Sequence, residues 1–237
     1  MALPKLNNTP MYDITIPSTG KKTRFRPYLV GEEKVLMIAS ETKEEKQIIS
    51  ATLDIIESCI DDDIDVRNLP SFDAEYLFLN IRSKSVGETV DLIMLCSNCE
   101  HEQEVNVNLN EVSVDTPEKK SYIIDLTKDV SLQMRYISYF DTLNSSDEEP
   151  ESDVTRLYDL ILSSIEAVLT EDERVIVKDE TREELEEFVN GMTQKQYEKL
   201  SNFVLNMPQL KLDIKFKCDE CAHENETMIM GMQNFFE

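Results

Sequence analysis

Residues 213–224 read Asp213-Ile-Lys-Phe-Lys-Cys-Asp-Glu-Cys-Ala-His-Glu, and residues 91–102 read Asp91-Leu-Ile-Met-Leu-Cys-Ser-Asn-Cys-Glu-His-Glu. Aspartate, both cysteines, histidine and glutamate coincide at one constant offset (218 − 96 = 122), and Asn80 falls on Asn202 at the same offset. Two Cys-x-x-Cys pairs set in matching text point to an internal duplication. Upstream the likeness continues at a different offset. Ile14 falls on Ile123 and Arg26 on Arg135 (135 − 26 = 109), and Ile56-Glu57 on Ile165-Glu166. The change of offset (122 − 109 = 13) requires extra residues in the second copy. They are expected near 181–190, where Thr181 and Glu184 form a capping box and Gly191 closes the helix. A period this long describes a tandem pair of domains rather than a solenoid.

The expected fold class is α+β, built as a tandem duplication of a hairpin–helix–helix–cysteine-finger unit. The first repeat is expected over 1–117, with its finger at 91–109. The second is expected over 118–237, with its finger at 210–230 and the additional helix near 181–190. Asp13-Ile-Thr-Ile, the Pro17-Ser18-Thr19-Gly20 turn and Thr23-Arg-Phe-Arg predict the opening hairpin. Three-and-four spacing of Ile49, Leu53, Ile56 and Ile60 predicts a helix, as does that of Val154, Leu157, Ile161, Ile165 and Val168 in the second copy. Second helices are expected after Ser71 and after Thr193, the latter boxed by Gln196. Alternation of Val105, Val107 and Leu109, and of Leu210, Leu212, Ile214 and Phe216, predicts the finger strands. Ser145–Asp153 reads as an acidic solvent loop, and Asp61–Asp63 as a solvated carboxylate run lacking the pattern of a calcium loop.

Composition narrows the function. Of 237 residues 41% are hydrophobic and 30% charged, which describes a globular chain. Lys and Arg number 24 against 48 Asp and Glu, a formal net charge of −24. Such a surface repels phosphate backbones and anionic membranes alike, so neither nucleic acid nor membrane is an expected partner. Apolar runs are far too short to span a bilayer, and no secretory signal pattern opens the chain. With five glycines and no Gly-rich phosphate loop, no nucleotide or other small-molecule substrate is expected.

In a chain without a secretory signal, paired Cys-x-x-Cys motifs bind metal or do redox chemistry. Thioredoxin-like pairs sit at helix N-termini, whereas both pairs here are followed by strand-like text. Zinc favours four tetrahedral ligands, and each copy offers two thiolates. Either His101 or His223 helps to complete each half-site, or the two knuckles meet on one ion. One structural zinc held by Cys96, Cys99, Cys218 and Cys221 is the expectation, with iron as the alternative ion. His101 and His223 lie too close behind their knuckles to reach the same ion and read as supporting groups. Cys59 reads as a core residue, matched by Val168. With both histidines tied to the knuckles, no nucleophile has a free base, so no catalytic residue is expected and the chain reads as a non-enzyme.

Leu3-Pro4, Thr9-Pro10-x-Tyr12, Pro17-Ser18-Thr19-Gly20, Arg26-Pro27-Tyr28-Leu29-Val30 and Glu32-Glu33-Lys34 resemble the opening of the T-even-type baseplate hub family of contractile-tailed phages. The resemblance implies a late protein of virion assembly, either a hub subunit or a factor that helps the hub assemble. It implies other baseplate or hub proteins as partners, and the host cytoplasm or the virion tail baseplate as location. It carries over no enzymatic residue. The competing reading from the residues alone is an acidic zinc-containing accessory factor docked on a basic nucleic-acid enzyme.

Overall fold

The computed structural model describes residues 9–114, 122–144 and 152–230. In the opening hairpin β1 (Tyr12–Thr15) pairs antiparallel with β2 (Lys22–Phe25), Tyr12 opposite Phe25 and Thr15 opposite Lys22. Gly20 takes φ +66° in the turn, a left-handed conformation that suits a residue without Cβ. Alternation then turns Ile14, Thr23 and Phe25 inward.

Two helices follow. α1 (Val30–Thr42) has no single apolar stripe and escapes a search for three-and-four spacing. α2 (Glu45–Cys59) carries Ile49, Leu53 and Ile56 of the expected stripe and buries Cys59 with them, while Ile60 follows the helix in extended conformation. α3 (Ser71–Ser85) starts directly after Pro70, so Ser71 is its first helical residue rather than its cap. The buried Asp73 in its first turn accepts hydrogen bonds from the backbone N–H and the hydroxyl of Ser18, which dock the hairpin turn on the helix. Burial pushes the Asp73 carboxyl up, and the two Ser18 bonds pull it part of the way back.

The chain continues into β3 (Thr89–Leu95) and β4 (Glu102–Asn108), a hairpin in register from Thr89↔Asn108 to Leu95↔Glu102, and then β5 (Ser113–Val114).

A second compact unit begins there. Its sheet runs in the order β6 (Tyr122–Asp125), β7 (Val130–Met134), β8 (Ile165–Thr170), β9 (Arg174–Ile176). α4 (Tyr139–Asn144) and α5 (Asp153–Ser164) lie between β7 and β8 in sequence. Of the expected acidic loop, residues 145–151 lie outside the described residues. Ser152 caps α5 by accepting from Thr155 N–H at 3.2 Å.

The expected helix through Val168 is a correction. α5 ends at Ser164, and Ile165–Thr170 is strand β8, with Leu132 opposite Val168 on β7 and Val175 opposite it on β9. Ile161, Ile165 and Val168 do fit a helical spacing, but Ile165 and Ala167 also alternate inward, and pairing on both sides decides for the strand. α6 (Arg182–Asn190) is capped by the Thr181–Glu184 box and ends at Gly191; α7 (Gln194–Leu205) follows the Thr193–Gln196 box. Leu132, Met134, Ile161, Ile165, Val189, Leu200 and Val204 form this unit's core.

The chain then returns as β10 (Leu210–Lys217) and β11 (Glu224–Met230). β10 pairs with β11 on one side and with β5 on the other, Leu210 opposite Val114 and Lys211 opposite Ser113. Leu79, Leu92, Val107 and Leu109 pack in one cluster with Leu210, Leu212 and Ile214. The chain therefore divides into Met1–Thr116 with Gln209–Glu237, and Pro117–Pro208. The hairpin at 210–230 belongs to the same compact unit as the hairpin at 91–109. Truncating a fully buried residue of that cluster such as Leu210 costs about 2–5 kcal/mol, enough to threaten the pairing of the two hairpins.

Behind each opening hairpin the same bonds recur. The Arg26 guanidinium grips Glu32 at 2.9 and 2.7 Å, Leu29 N–H donates to Glu32 at 2.7 Å, and Arg26 N–H donates to Cys59 C=O at 2.9 Å. In the second unit Arg135 grips Asp141 twice at 2.7 Å, Ser138 N–H donates to Asp141 at 2.8 Å, and Arg135 N–H donates to Ser164 C=O at 2.8 Å. The acid and the arginine keep the offset of 109 (141 − 32 and 135 − 26). In these bonds Ser164 stands to Arg135 as Cys59 stands to Arg26, whereas Val168 was the expected counterpart. Likewise Phe25 bridges to Ile60 as Met134 pairs with Ile165, where Ile56 was the expected counterpart of Ile165.

Candidate metal centre

Each Cys-x-x-Cys sits at the tip of a hairpin, not at a helix N-terminus. The two tips fold alike. Cys96 N–H donates to His101 C=O and Glu100 N–H to Cys96 C=O, both at 2.9 Å; Cys218 N–H donates to His223 C=O and Ala222 N–H to Cys218 C=O, again at 2.9 Å. Glu100 and Ala222 both take φ +57°, the left-handed turn that brings the chain back into the second strand. This reversal places both sulfurs of a knuckle on one side.

The four cysteines singled out in the sequence converge within the first unit. Their sulfurs all lie within 4.8 Å of one another, with Cys96 and Cys221 Sγ 3.6 Å apart and Cys99 and Cys218 Sγ 3.6 Å apart. Both short distances cross from one hairpin to the other. Cys96 and Cys218 are buried, while Cys99 and Cys221 are exposed. Four sulfurs so placed could hold one metal ion. Among the described residues this cluster contains no histidine. His101 and His223 are exposed and enter their knuckles through backbone carbonyls. Cys59 lies apart, buried on α2, where burial pushes its thiol up.

Two amides missed in the sequence bind the hairpins to each other. Asn225 Oδ1 accepts from Ser97 N–H at 2.9 Å and from the Ser97 hydroxyl at 2.8 Å. Its Nδ2 donates to Cys96 Sγ at 3.5 Å and to His223 C=O at 3.2 Å. Gln103 does the reciprocal work from the other hairpin: its Oε1 accepts from Asp219 N–H at 3.0 Å, and its Nε2 donates to Lys217 C=O at 3.2 Å. The pair keeps the offset of 122 (225 − 103), as do the knuckle residues that they hold (219 − 97 = 122). The signal was two side-chain amides in register, one turn of the text beyond the histidines. Asn98 Nδ2 adds a bond to Cys221 Sγ at 3.6 Å.

These donors shape the thiols. Burial pushes Cys96 up, but the backbone N–H groups of Asn98 and Cys99 and the Asn225 amide outweigh it and bring the thiol to about 6. The Asn98 amide, then the His223 N–H, holds Cys221 below its ordinary value. The His101 N–H pulls Cys99 down, yet the neighbouring sulfurs, Cys221 foremost, and burial push it up to about 12. Adjacent thiolates repel one another, and a cation among them removes that repulsion.

Residues 9–237 match the family described as T4 bacteriophage base plate protein. The baseplate hub assembly protein gp26 of Enterobacteria phage T4 is 25% identical over 213 residues, which cover 88% of this chain and 95% of that protein. No solved structure matches the chain. Among the described residues no helix is long and apolar enough to cross a membrane.

Proposed function

The chain belongs to the T4 bacteriophage base plate protein family, and from that premise we propose that it is a structural component or assembly factor of a contractile-tail baseplate hub. The family match over 9–237 is the observation that carries this reading. The similarity to a hub assembly protein along almost its entire length supports the hub in particular. On this reading the chain works by contact with other baseplate proteins and catalyses nothing. It acts in the host cytoplasm during assembly and stays in the virion tail where it is retained.

The proposal includes one structural zinc ligated by Cys96, Cys99, Cys218 and Cys221. A tetrahedron with zinc–sulfur bonds of about 2.3 Å has sulfur–sulfur edges of roughly 3.8 Å. The two cross-hairpin separations of 3.6 Å are close to that edge. Such an ion joins strands on either side of the second unit's chain, closing the first unit at the hairpin tips as β5 and β10 close it at the base. The proposal also includes a tandem duplication. The Arg26–Glu32 and Arg135–Asp141 grips, the paired knuckles and the reciprocal amides support it.

The test has two arms. Protein purified without chelator is expected to contain one zinc per chain; two metals, none, or iron would overturn the metal assignment. Infection by a phage lacking the protein is expected to yield heads but few complete baseplates. Normal tailed particles in its absence would overturn the hub role.

A further inference from the structure

The outer faces of the two cysteine hairpins differ where their inner faces agree. On the second hairpin Lys215 stands opposite Glu226 and Lys217 opposite Glu224, and the Lys215–Glu226 pair closes at 2.7 Å. There a lysine directly across the strand pair satisfies Glu226. At the matching positions of the first hairpin (215 − 122 = 93 and 217 − 122 = 95) stand Ile93 and Leu95. They face Glu104 and Glu102, the counterparts of Glu226 and Glu224. Ile93 is 67% exposed and Leu95 61%, and both glutamates are exposed. From Val86 to Val114 the chain contains no Lys or Arg. The first hairpin thus keeps the acids and replaces their lysines with aliphatic side chains.

We propose that this face of β3 and β4 is a docking surface for a basic, aliphatic segment of another baseplate protein. Aliphatic side chains of that segment cover Ile93 and Leu95, and its Lys or Arg side chains stand over Glu102 and Glu104. The Lys215–Glu226 pair shows which chemistry completes such a glutamate: a cation directly across the strand pair. A second copy of this chain fits poorly, because it would set Glu102 and Glu104 against the same acids. The inference rests on the reading that the protein acts by contact within the baseplate, and it names where that contact is made.

The test uses the full-length, metal-loaded chain and the individually purified hub proteins encoded by the same phage, titrated by calorimetry at low and high salt. Wild type is expected to bind one of them, more weakly as salt rises. Ile93→Lys/Leu95→Lys, which gives the first face the composition of the second, is expected to bind at least about tenfold more weakly, with unchanged metal content and melting temperature. Glu102→Gln/Glu104→Gln is expected to weaken binding and flatten its salt dependence. That pair decides the matter if the lysine variant does not fold. Binding of the folded lysine variant at wild-type affinity would overturn the surface and leave the hub role standing. Failure of wild type to bind any hub protein would overturn both. Self-association of wild type that the lysine variant abolishes would overturn the proposed partner in favour of a second copy.

Discussion

Replacing Asn225 by Ala removes the most buried of the bonds between the cysteine hairpins. The side chain is 6% exposed, accepts two hydrogen bonds from Ser97, and donates to Cys96 Sγ and to His223 C=O. A net hydrogen bond inside a protein contributes about 0.5–1.5 kcal/mol, toward the low end where the abandoned partner can reach water. Ser97 is exposed and rehydrates, whereas Cys96 is buried and does not. The expected cost is therefore about 2–3 kcal/mol, read as a lower urea midpoint for metal-loaded protein. Gln103→Ala removes only two bonds, in a less buried place and none of them to sulfur, and should cost about 1 kcal/mol.

Metal affinity separates the two amides further. Loss of a group that supports a ligand costs roughly 10–100-fold in affinity, and of Asn225 and Gln103 only Asn225 donates to one of the four sulfurs. Competition against a chromophoric chelator should therefore show a loss of about tenfold for Asn225→Ala and little for Gln103→Ala. Asn225→Asp keeps an acceptor for Ser97 but sets a carboxylate beside the sulfur, so its metal affinity should fall below that of the alanine variant. If Gln103→Ala proves as costly as Asn225→Ala in both assays, the Asn225–Cys96 contact contributes nothing and the argument from burial fails.

Glu100→Gly and Ala222→Gly should each stabilise the first unit by about 0.5–1 kcal/mol in urea titrations. Relief of the left-handed penalty of about 1–2 kcal/mol outweighs the ~0.4–1 kcal/mol of extra unfolded-chain entropy. The Arg26 bonds, offset in part by burial and aided by Leu29 N–H and Ser58, hold Glu32 down at about 2. Its contribution is complete above the unfolded carboxyl value of about 4.3 and is lost as pH falls through that value toward 2. Unfolding midpoints of wild type should thus drop over that window more steeply than those of Glu32→Gln. Cys218→Ser should release the metal and speed amide exchange in β3, β4, β10 and β11 while leaving the core of 122–208 protected. Cys99 and Cys218 are 119 positions apart, and by analogy with a disulfide a link across such a loop stabilises by about 4–5 kcal/mol.

The cysteine cluster was legible because its chemistry is written in residue types that have few other uses at that spacing. The capped helices were legible for a similar reason: Thr181 with Glu184, and Thr193 with Gln196, announce their own ends. α1 was not, since Val30, Val35, Met37 and Ile38 are apolar yet exposed and spread around the helix, so no stripe forms. β8 was misread because Ile165 fits the helical spacing of Ile161 and Val168 and also alternates inward with Ala167, and only strand partners distant in sequence choose between the two periods. The Arg26–Glu32 grip lay within view, Arg26 having already been matched to Arg135. The acid six residues on is Glu after Arg26 and Asp after Arg135, a difference in length that a bidentate grip tolerates.

The two hairpins show where each kind of constraint acts. Inward positions answer to the opposite hairpin: Leu92 and Ile214 are both buried, Gln103 and Asn225 hold reciprocal backbone groups, and four sulfurs must meet at one point. A change at any of these disturbs both hairpins at once. Outward positions answer to nothing in their own cluster, since side chains alternate across the pleat and those facing out leave the core. Lysines on one hairpin and aliphatic residues on the other are therefore equally compatible with the fold. The pairing of β3 with β4 is satisfied without Ile93 and Leu95 being exposed, and a charged pair would serve solubility better at both positions. Their presence on that face alone is explained by contact outside the first unit's own core, while the sulfur cluster, shared evenly by both hairpins, is explained by the fold itself.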